Sequence, residues 1–261
     1  MGGSMNNIAN IAKKLFGDNE PCKCGGGHQI CLKCEICRAN ESDEVYNPDK
    51  GIASIIDATI LKANAVVADI KALCEIANEH HTASVCINSH FIPQIKSALI
   101  SGVKSCTVIN FPLGSSSPEA ILAEADAVLE AGVDEVDMVQ NLSALLSDDY
   151  QAAFVSINGV AKHCAAQSAL LKVILETCYL TEEQIIISCL VAKKAGTKFV
   201  KTSTGFGSAG ATAENIALMR LVVGPKFGVK ASGGIRNSEQ AAAMINAGAN
   251  RIGASSVTAL L

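Results

Sequence analysis

A (β/α)8 TIM barrel behind a short cysteine-rich N-terminal extension is the fold this sequence predicts, and three observations carry it. From Ser54 onward, eight short apolar runs alternate without interruption with Ala-rich runs of helical period. Hydrophobic residues make up 49% of the chain while aromatics are 4% and Trp is absent, so Ala, Val and Ile do the packing, as in a covered parallel sheet. With 261 residues the chain suits one large barrel or two small domains. A doubly wound sheet is the alternative, because counting strands does not decide closure.

Residues 1–50 are read as the extension and residues 51–261 as the barrel. Met1 to Ser4 reads as an added leader, with Met5 a native start. Ile8, Ile11, Ala12, Leu15 and Phe16 have helical spacing that ends at Gly17-Asp18. Cys22, Cys24, His28, Cys31, Cys34 and Cys37 follow, and these could supply a tetrahedral zinc site. No choice of four ligands stands out, so structural zinc and a flexible or redox-prone extension both stay open. The polar stretch from Arg38 to Lys50 reads as a linker.

The expected strands are Ser54–Asp57, Ser84–Ile87, Ser105–Ile109, Glu135–Val139, Leu171–Glu176, Lys198–Lys201, Gly228–Ala231 and Arg251–Ile252. Between them lie the expected helices Val66–His80, Ile92–Ser101, Pro118–Ala131, Tyr150–Ala166, Thr181–Lys194, Thr212–Val222 and Ser238–Ala247. Their ends are punctuated. Ser117-Pro118 is an N-cap followed by Pro at the first helical position. Thr181 with Gln184 forms a capping box. Gly132, Gly196 and Gly248 stand just past helix C-termini. Only Ala254 to Leu261 remain after the eighth strand, which predicts a short last helix.

Lys+Arg 21 against Asp+Glu 25 leaves a net charge of −4, which argues against bulk nucleic-acid affinity and is compatible with a local anion pocket. No apolar run approaches the roughly 18 residues that span a bilayer, and there is no leader of the secretory kind. The chain is therefore expected to be cytoplasmic, with no membrane partner. Six of the 11 cysteines (Cys74, Cys86, Cys106, Cys164, Cys178 and Cys189) lie in apolar contexts, and an odd total fits a reducing compartment.

Chemistry concentrates where a barrel keeps its active site, at the C-terminal ends of the strands. Two strands end in a lysine and then open into glycine-rich loops: Phe199-Val200-Lys201-Thr202-Ser203-Thr204-Gly205 and Gly228-Val229-Lys230-Ala231-Ser232-Gly233-Gly234. Lysine is rarely buried without a partner or a purpose. The pattern points to a Schiff-base pair in which one amine is the nucleophile and the other cation lowers its pKa. Which lysine plays which part is open at this level. Asp57, Thr59, Asp137, Lys172 and Glu176 belong to the same strand ends. By the strand period of two, Glu135 and Asp137 share a face, as do Lys172, Ile174 and Glu176. A carboxylate pointing inward must be paired, and the lysines are the available partners. Gly233-Gly234 and Gly253-Ala254-Ser255-Ser256 occupy the slots where barrels hold phosphate, at a short helix N-terminus. Gly205-Phe-Gly207-Ser-Ala-Gly210 matches a dinucleotide fingerprint, but no Asp or Glu lies between Glu214 and Glu239, so that reading is rejected. The five histidines form no metal constellation in the barrel, and no metal site is expected there.

These residues resemble the class I deoxyribose-phosphate aldolase family. The resemblance runs from about Ile55 to Ser256 through Ile56-Asp57-Ala58-Thr59, Val85-Cys86-Ile87-Asn88, Phe111-Pro112-Leu113-Gly114, Asp134-Glu135-Val136-Asp137-Met138-Val139, Lys172-Val173-Ile174-Leu175-Glu176-Thr177, Lys201-Thr202-Ser203-Thr204-Gly205-Phe206, Lys230-Ala231-Ser232-Gly233-Gly234-Ile235-Arg236 and Arg251-Ile252-Gly253-Ala254-Ser255-Ser256. It implies interconversion of 2-deoxy-D-ribose 5-phosphate with acetaldehyde and D-glyceraldehyde 3-phosphate, no cofactor, small-molecule partners and a homo-oligomer. It implies the Schiff base on Lys201, proton relay through Lys230 and Asp137, and phosphate on Gly205, Gly233, Gly234, Gly253, Ser255 and Ser256. Asp57 and Thr59 match mouth-lining positions, and Lys172 and Thr204 complete the expected substrate-binding set. Ala58, Ser89 and Asn110 depart from the His, Pro and Gly common at those positions. The chain carries no tyrosine near its C-terminus, which is expected to bear on turnover rate rather than on activity. Two other readings are a Schiff-base aldolase for another phosphorylated sugar and an inactive barrel carrying a zinc-binding interaction module.

Overall fold

The computed structural model describes residues 10–15 and 51–261. The six N-terminal cysteine and histidine candidates, the linker and the expected boundary near residue 50 lie outside the described residues.

Eight parallel strands close into a barrel in chain order, β1 pairing with both β2 and β8. Closure excludes the doubly wound alternative. The strands are β1 Ile56–Ile60, β2 Ser84–Ile87, β3 Lys104–Ile109, β4 Glu135–Val139, β5 Leu170–Ile174, β6 Phe199–Lys201, β7 Gly228–Ser232 and β8 Arg251–Ala254. The helices are α1 at 10–15, α2 Val67–His80, α3 Ile92–Ala98, α4 Pro118–Glu130, α5 Leu142–Leu146, α6 Tyr150–Ala166, α7 Glu182–Lys194, α8 Ala213–Val223 and α9 Ser238–Asn246. Among the described residues none of these helices is long and apolar enough to cross a membrane.

Local chemistry sets the ends. The Ser117 hydroxyl accepts from the Ala120 N–H at the start of α4, and Thr181 and Gln184 close a reciprocal capping box on α7. Gly132 and Gly196 end α4 and α7 with φ of 76° and 88°, a region closed to most side chains. The first strand begins two residues later than expected, because Ile52–Ile55 form a 3-10 turn. The fifth ends at Ile174 rather than Glu176, which takes φ 55°. The expected short last helix is absent: residues 255–261 form a bend and a turn, with Val257 and Leu260 buried.

Strand alternation divides the interior in two. Outward-facing residues such as Val85, Val136, Met138, Val173, Val200, Val229 and Ile252 join the helices in the main core, and Ile11 and Ala12 of α1 join it too. A separate small apolar cluster of Leu61, Cys86, Cys106 and Val108, with Phe111 against it, belongs to the lumen beside β2 and β3. Opposite it, β1 and β4 to β8 send charged groups inward.

Candidate active site

The charged half of the lumen comes from single residues that break apolar strands. Asp57, Glu135, Asp137, Lys172, Lys201, Lys230 and Arg251 are each at most 5% exposed. Their strand positions dictate their meeting. Asp137 is the register partner of Lys172, and Lys201 is the register partner of Lys230. All three lysines converge on one carboxylate. Lys172 Nζ lies 2.9 Å from Asp137 Oδ1, and Lys201 and Lys230 each place Nζ 2.8 Å from Oδ2.

The second layer of partners is also ionic. Lys230 Nζ lies 2.5 Å from Asp57 Oδ2, and Lys172 donates to Glu135 Oε2. Arg251 bridges Asp57 at 2.9 Å and Glu135 at 3.2 Å, its guanidinium 5.4 Å from the centroid of the Phe199 ring. Ser84 Oγ donates to Asp57 Oδ1 at 2.7 Å. Lysines and carboxylates are thus buried together, the arrangement in which buried charge is tolerated.

Burial opposes ionisation of Asp137, but Lys172, Lys201 and Lys230 hold its carboxyl well below the usual carboxylate range. Burial likewise opposes charge on Asp57, and Lys230, Arg251 and Lys172 outweigh it to lower that carboxyl. For Lys230 burial pulls down, while Asp137 and Asp57 push its pKa above the ordinary lysine value. Lys172 is raised in the same way, against burial, by the carboxylates of Asp137, Glu135 and Asp57. Both carboxylates are therefore ionised at neutral pH, with Lys172 and Lys230 cationic beside them.

The loops after β6 and β7 lie side by side, with the end of β8 against the end of β7. A Cβ placed on Gly233 would sit 3.7 Å from Gly205 Cα, and one on Gly253 would sit 3.0 Å from Ser232 Cβ. Ser232 Oγ, at the end of β7, donates to the Ser203 carbonyl at 2.6 Å, tying that strand end to the loop after β6. Gly205, Gly234, Ser255 and Ser256 are exposed around them. No helix follows β8, so this rim consists of loop backbone and hydroxyls rather than the expected helix terminus.

Two candidates are held differently from the rest of the rim. Lys172 is fully buried beneath Asp137. Thr204 gives both its N–H and its hydroxyl to Glu176, while its Oγ1 accepts from the Phe206 N–H at 3.0 Å. Thr59 keeps its hydroxyl on the Asp57 carbonyl. Sequence reasoning missed Arg251 and the part played by Glu176. Arg251 had a signal, since strand parity puts it on the same face as Gly253. Asn110, where the family commonly has Gly, takes φ 51°, a conformation Asn tolerates, and its amide binds the Val139 carbonyl. His163 meets Asp126 on the surface, at 2.5 Å.

The lumen therefore offers a lysine amine at the end of β6, a carboxylate shared by three lysines, and a glycine-rich rim above them. The model of the DeoC/LacD family aldolases matches residues 47–261. The chain belongs to that family. Deoxyribose-phosphate aldolase of Caldanaerobacter subterraneus subsp. tengcongensis is 52% identical over 206 residues, covering 78% of this chain and 89% of the relative. That of Thermococcus gammatolerans is 51% identical over 208 residues, covering 78% and 92%. Among solved structures, the tetrameric deoxyribose phosphate aldolase of Aeropyrum pernix superposes with a TM-score of 0.75 at 32% identity, over 84% of this chain and 92% of that one.

Proposed function

We propose that this family member is a class I aldolase, a carbon–carbon lyase that reversibly cleaves 2-deoxy-D-ribose 5-phosphate to D-glyceraldehyde 3-phosphate and acetaldehyde through a Schiff base on Lys201. The observation that carries the assignment is the convergence of three lysines on Asp137. Within it Lys201 is the amine with one carboxylate partner, whereas Lys230 has two. The curated relatives named above support the substrate.

In this reading the neutral Lys201 amine attacks C1 of the open-chain sugar phosphate, and loss of water gives an iminium. The C3 hydroxyl loses its proton, the C2–C3 bond breaks, and its electron pair moves toward the iminium as an enamine. Glyceraldehyde 3-phosphate departs. Protonation of the enamine at C2 and hydrolysis release acetaldehyde and regenerate the amine. Lys230 and Asp137, with a water, carry the protons, since both lie within hydrogen-bond reach of the reacting nitrogen or its partner. The phosphate rests on Gly205, Gly233, Gly234, Gly253, Ser255 and Ser256, and its anchoring aligns the reacting end. No step calls on a metal or an organic cofactor.

Homo-oligomeric assembly and a cytoplasmic setting belong to the same proposal. The Aeropyrum pernix relative is a tetramer, and the six cysteines among the described residues are free thiols.

Borohydride reduction in the presence of 2-deoxyribose 5-phosphate, followed by peptide mass spectrometry, tests the assignment. The expected result is an adduct on Lys201 that disappears in Lys201→Leu together with turnover. An adduct on another lysine, or trapping that survives in Lys201→Leu, would sink it.

A further inference from the structure

The ion pairs of the lumen close on themselves. Arg251 pairs with Asp57, Asp57 with Lys230, Lys230 with Asp137, Asp137 with Lys172, Lys172 with Glu135, and Glu135 with Arg251 again. This is a six-membered ring of alternating charge, three cations and three anions, with a sum of zero. Among the described residues Lys201 hangs from it through Asp137 alone. Protonated, it is a fourth cation against three carboxylates; neutral, it leaves the lumen balanced.

We propose that Arg251, Glu135 and Lys172, the stretch of the ring that the proposed proton transfers do not use, are positioning residues whose charge count sets the pH at which Lys201 becomes a free amine. The proposal rests on the reading of Lys201 as the Schiff-base residue. It gives the buried ions a purpose beyond packing, which a ring of this kind otherwise lacks, because buried ion pairs are weak devices for stability. Among the described residues, the titratable and charged side chains that the strands bring into the lumen with Lys201 are Asp57 from β1, the Cys86 and Cys106 thiols from β2 and β3, Glu135 and Asp137 from β4, Lys172 from β5, Lys230 from β7 and Arg251 from β8. Of the two thiols, Cys106 donates to Asp137 Oδ1 at 3.5 Å, and burial pushes its pKa well up, so it stays neutral. The carboxylate of Glu176, beyond β5, is occupied by Thr204.

The signs are fixed by the count. Arg251→Met removes a cation, leaves the ring at −1 and favours a protonated Lys201. The pH profile of borohydride trapping should then move to higher pH. Glu135→Gln leaves the ring at +1 and should move the profile to lower pH. Each shift is expected to be about one pH unit, the size of one charge acting across a few side chains at an effective dielectric near 20. The double variant Arg251→Met/Glu135→Gln restores a sum of zero and should return the profile toward that of the parent. Arg251→Lys keeps the charge and should keep the profile.

The experiment is the rate of borohydride trapping against pH for the full chain and these four variants, with circular dichroism to report folding. Trapping of the unaltered protein on Lys201 comes first. If its adduct lies elsewhere, the proposed function fails and not merely the ring. With the adduct on Lys201, opposite shifts in the single variants support the inference, as does a restored profile in the double. Shifts of the same sign, or folded variants that lose rate at an unmoved midpoint, overturn it. Where a single variant does not fold, the double variant and Arg251→Lys decide, and a profile displaced in either would overturn the inference.

Discussion

The two faces of the same strands follow different rules. On the outer face Val136, Met138, Val173, Val200 and Val229 meet the helices through contacts that are non-directional and scale with buried area. On the inner face, one residue away along the chain, Glu135, Asp137, Lys172, Lys201 and Lys230 are tolerated only through specific partners. A step of one residue therefore changes the consequence of a substitution. Outside, a change alters the amount of packing. Inside, it strands a charge.

The substitution that should break this contrast most sharply is Asp137→Asn. It takes the common anion from three buried lysines while nearly conserving shape. Breaking a buried pair on one side costs about 3–5 kcal/mol, so a marked drop in urea midpoint is expected. Turnover should fall by at least ~10²-fold, since a proton carrier is lost as well. The pH dependence adds a signature. The folded Asp137 carboxyl lies below its ordinary range, so its stabilisation is fully present above the unfolded value near about pH 4 and is lost as pH falls toward the depressed folded value. Asp137→Asn should flatten the acid side of the stability curve. Full turnover in this variant would remove the distinction between the faces.

Legibility in the sequence divides along the same line. The outer face and the alternation of elements could be read because hydrophobic period is a local signal. The eightfold alternation and the outer face followed from it, and the caps at Ser117 and Thr181 from their own residue types; closure did not, and rests on the pairing of β1 with β8. The lysines could be read because a charge in an apolar strand needs an explanation. What stayed hidden depends on contacts across the lumen or between loops. Nothing adjacent to Arg251 says that it spans two carboxylates from β1 and β4. Glu176 reads as a strand residue, but its bonds from Thr204 accompany a left-handed turn that ends the strand. Ile52–Ile55 is apolar enough to look like strand, and only the barrel register shows that pairing starts later. Helix α5, five residues long, is too short for its period to register.

A gentler change probes the place where the two faces share support. Gly228 is the register partner of Phe199, and a Cβ there would come within 2.2 Å of the ring. That ring lies beneath the Arg251 guanidinium. Gly228→Ala is expected to cost about 1–3 kcal/mol by overpacking. Displacement of Phe199 should reach the charged layer only through Arg251, so turnover should stay within a few-fold of the parent. A large loss of turnover at unchanged stability would mean that packing and charge are not separable at this level of the barrel.

The smallest expected effect lies farthest from the lumen and sharpens the contrast from the other side. The Thr181 hydroxyl accepts from the Gln184 N–H, and the Gln184 side chain accepts from the Thr181 N–H. Thr181→Ala removes one half of this exposed capping box. The loss should be ~1 kcal/mol, or about 2–4 °C in Tm for a domain of this size. α7 packs on the outer face of the barrel through Ile185, Leu190 and Val191. Turnover and the pH profile of trapping should therefore be those of the parent. A shifted profile in Thr181→Ala would show that general loosening of the barrel moves the ionisation of the lumen, and the opposite shifts expected of Arg251 and Glu135 variants would then lose their diagnostic value. An unmoved profile alongside a measurable loss of Tm makes those shifts a readout of charge rather than of stability.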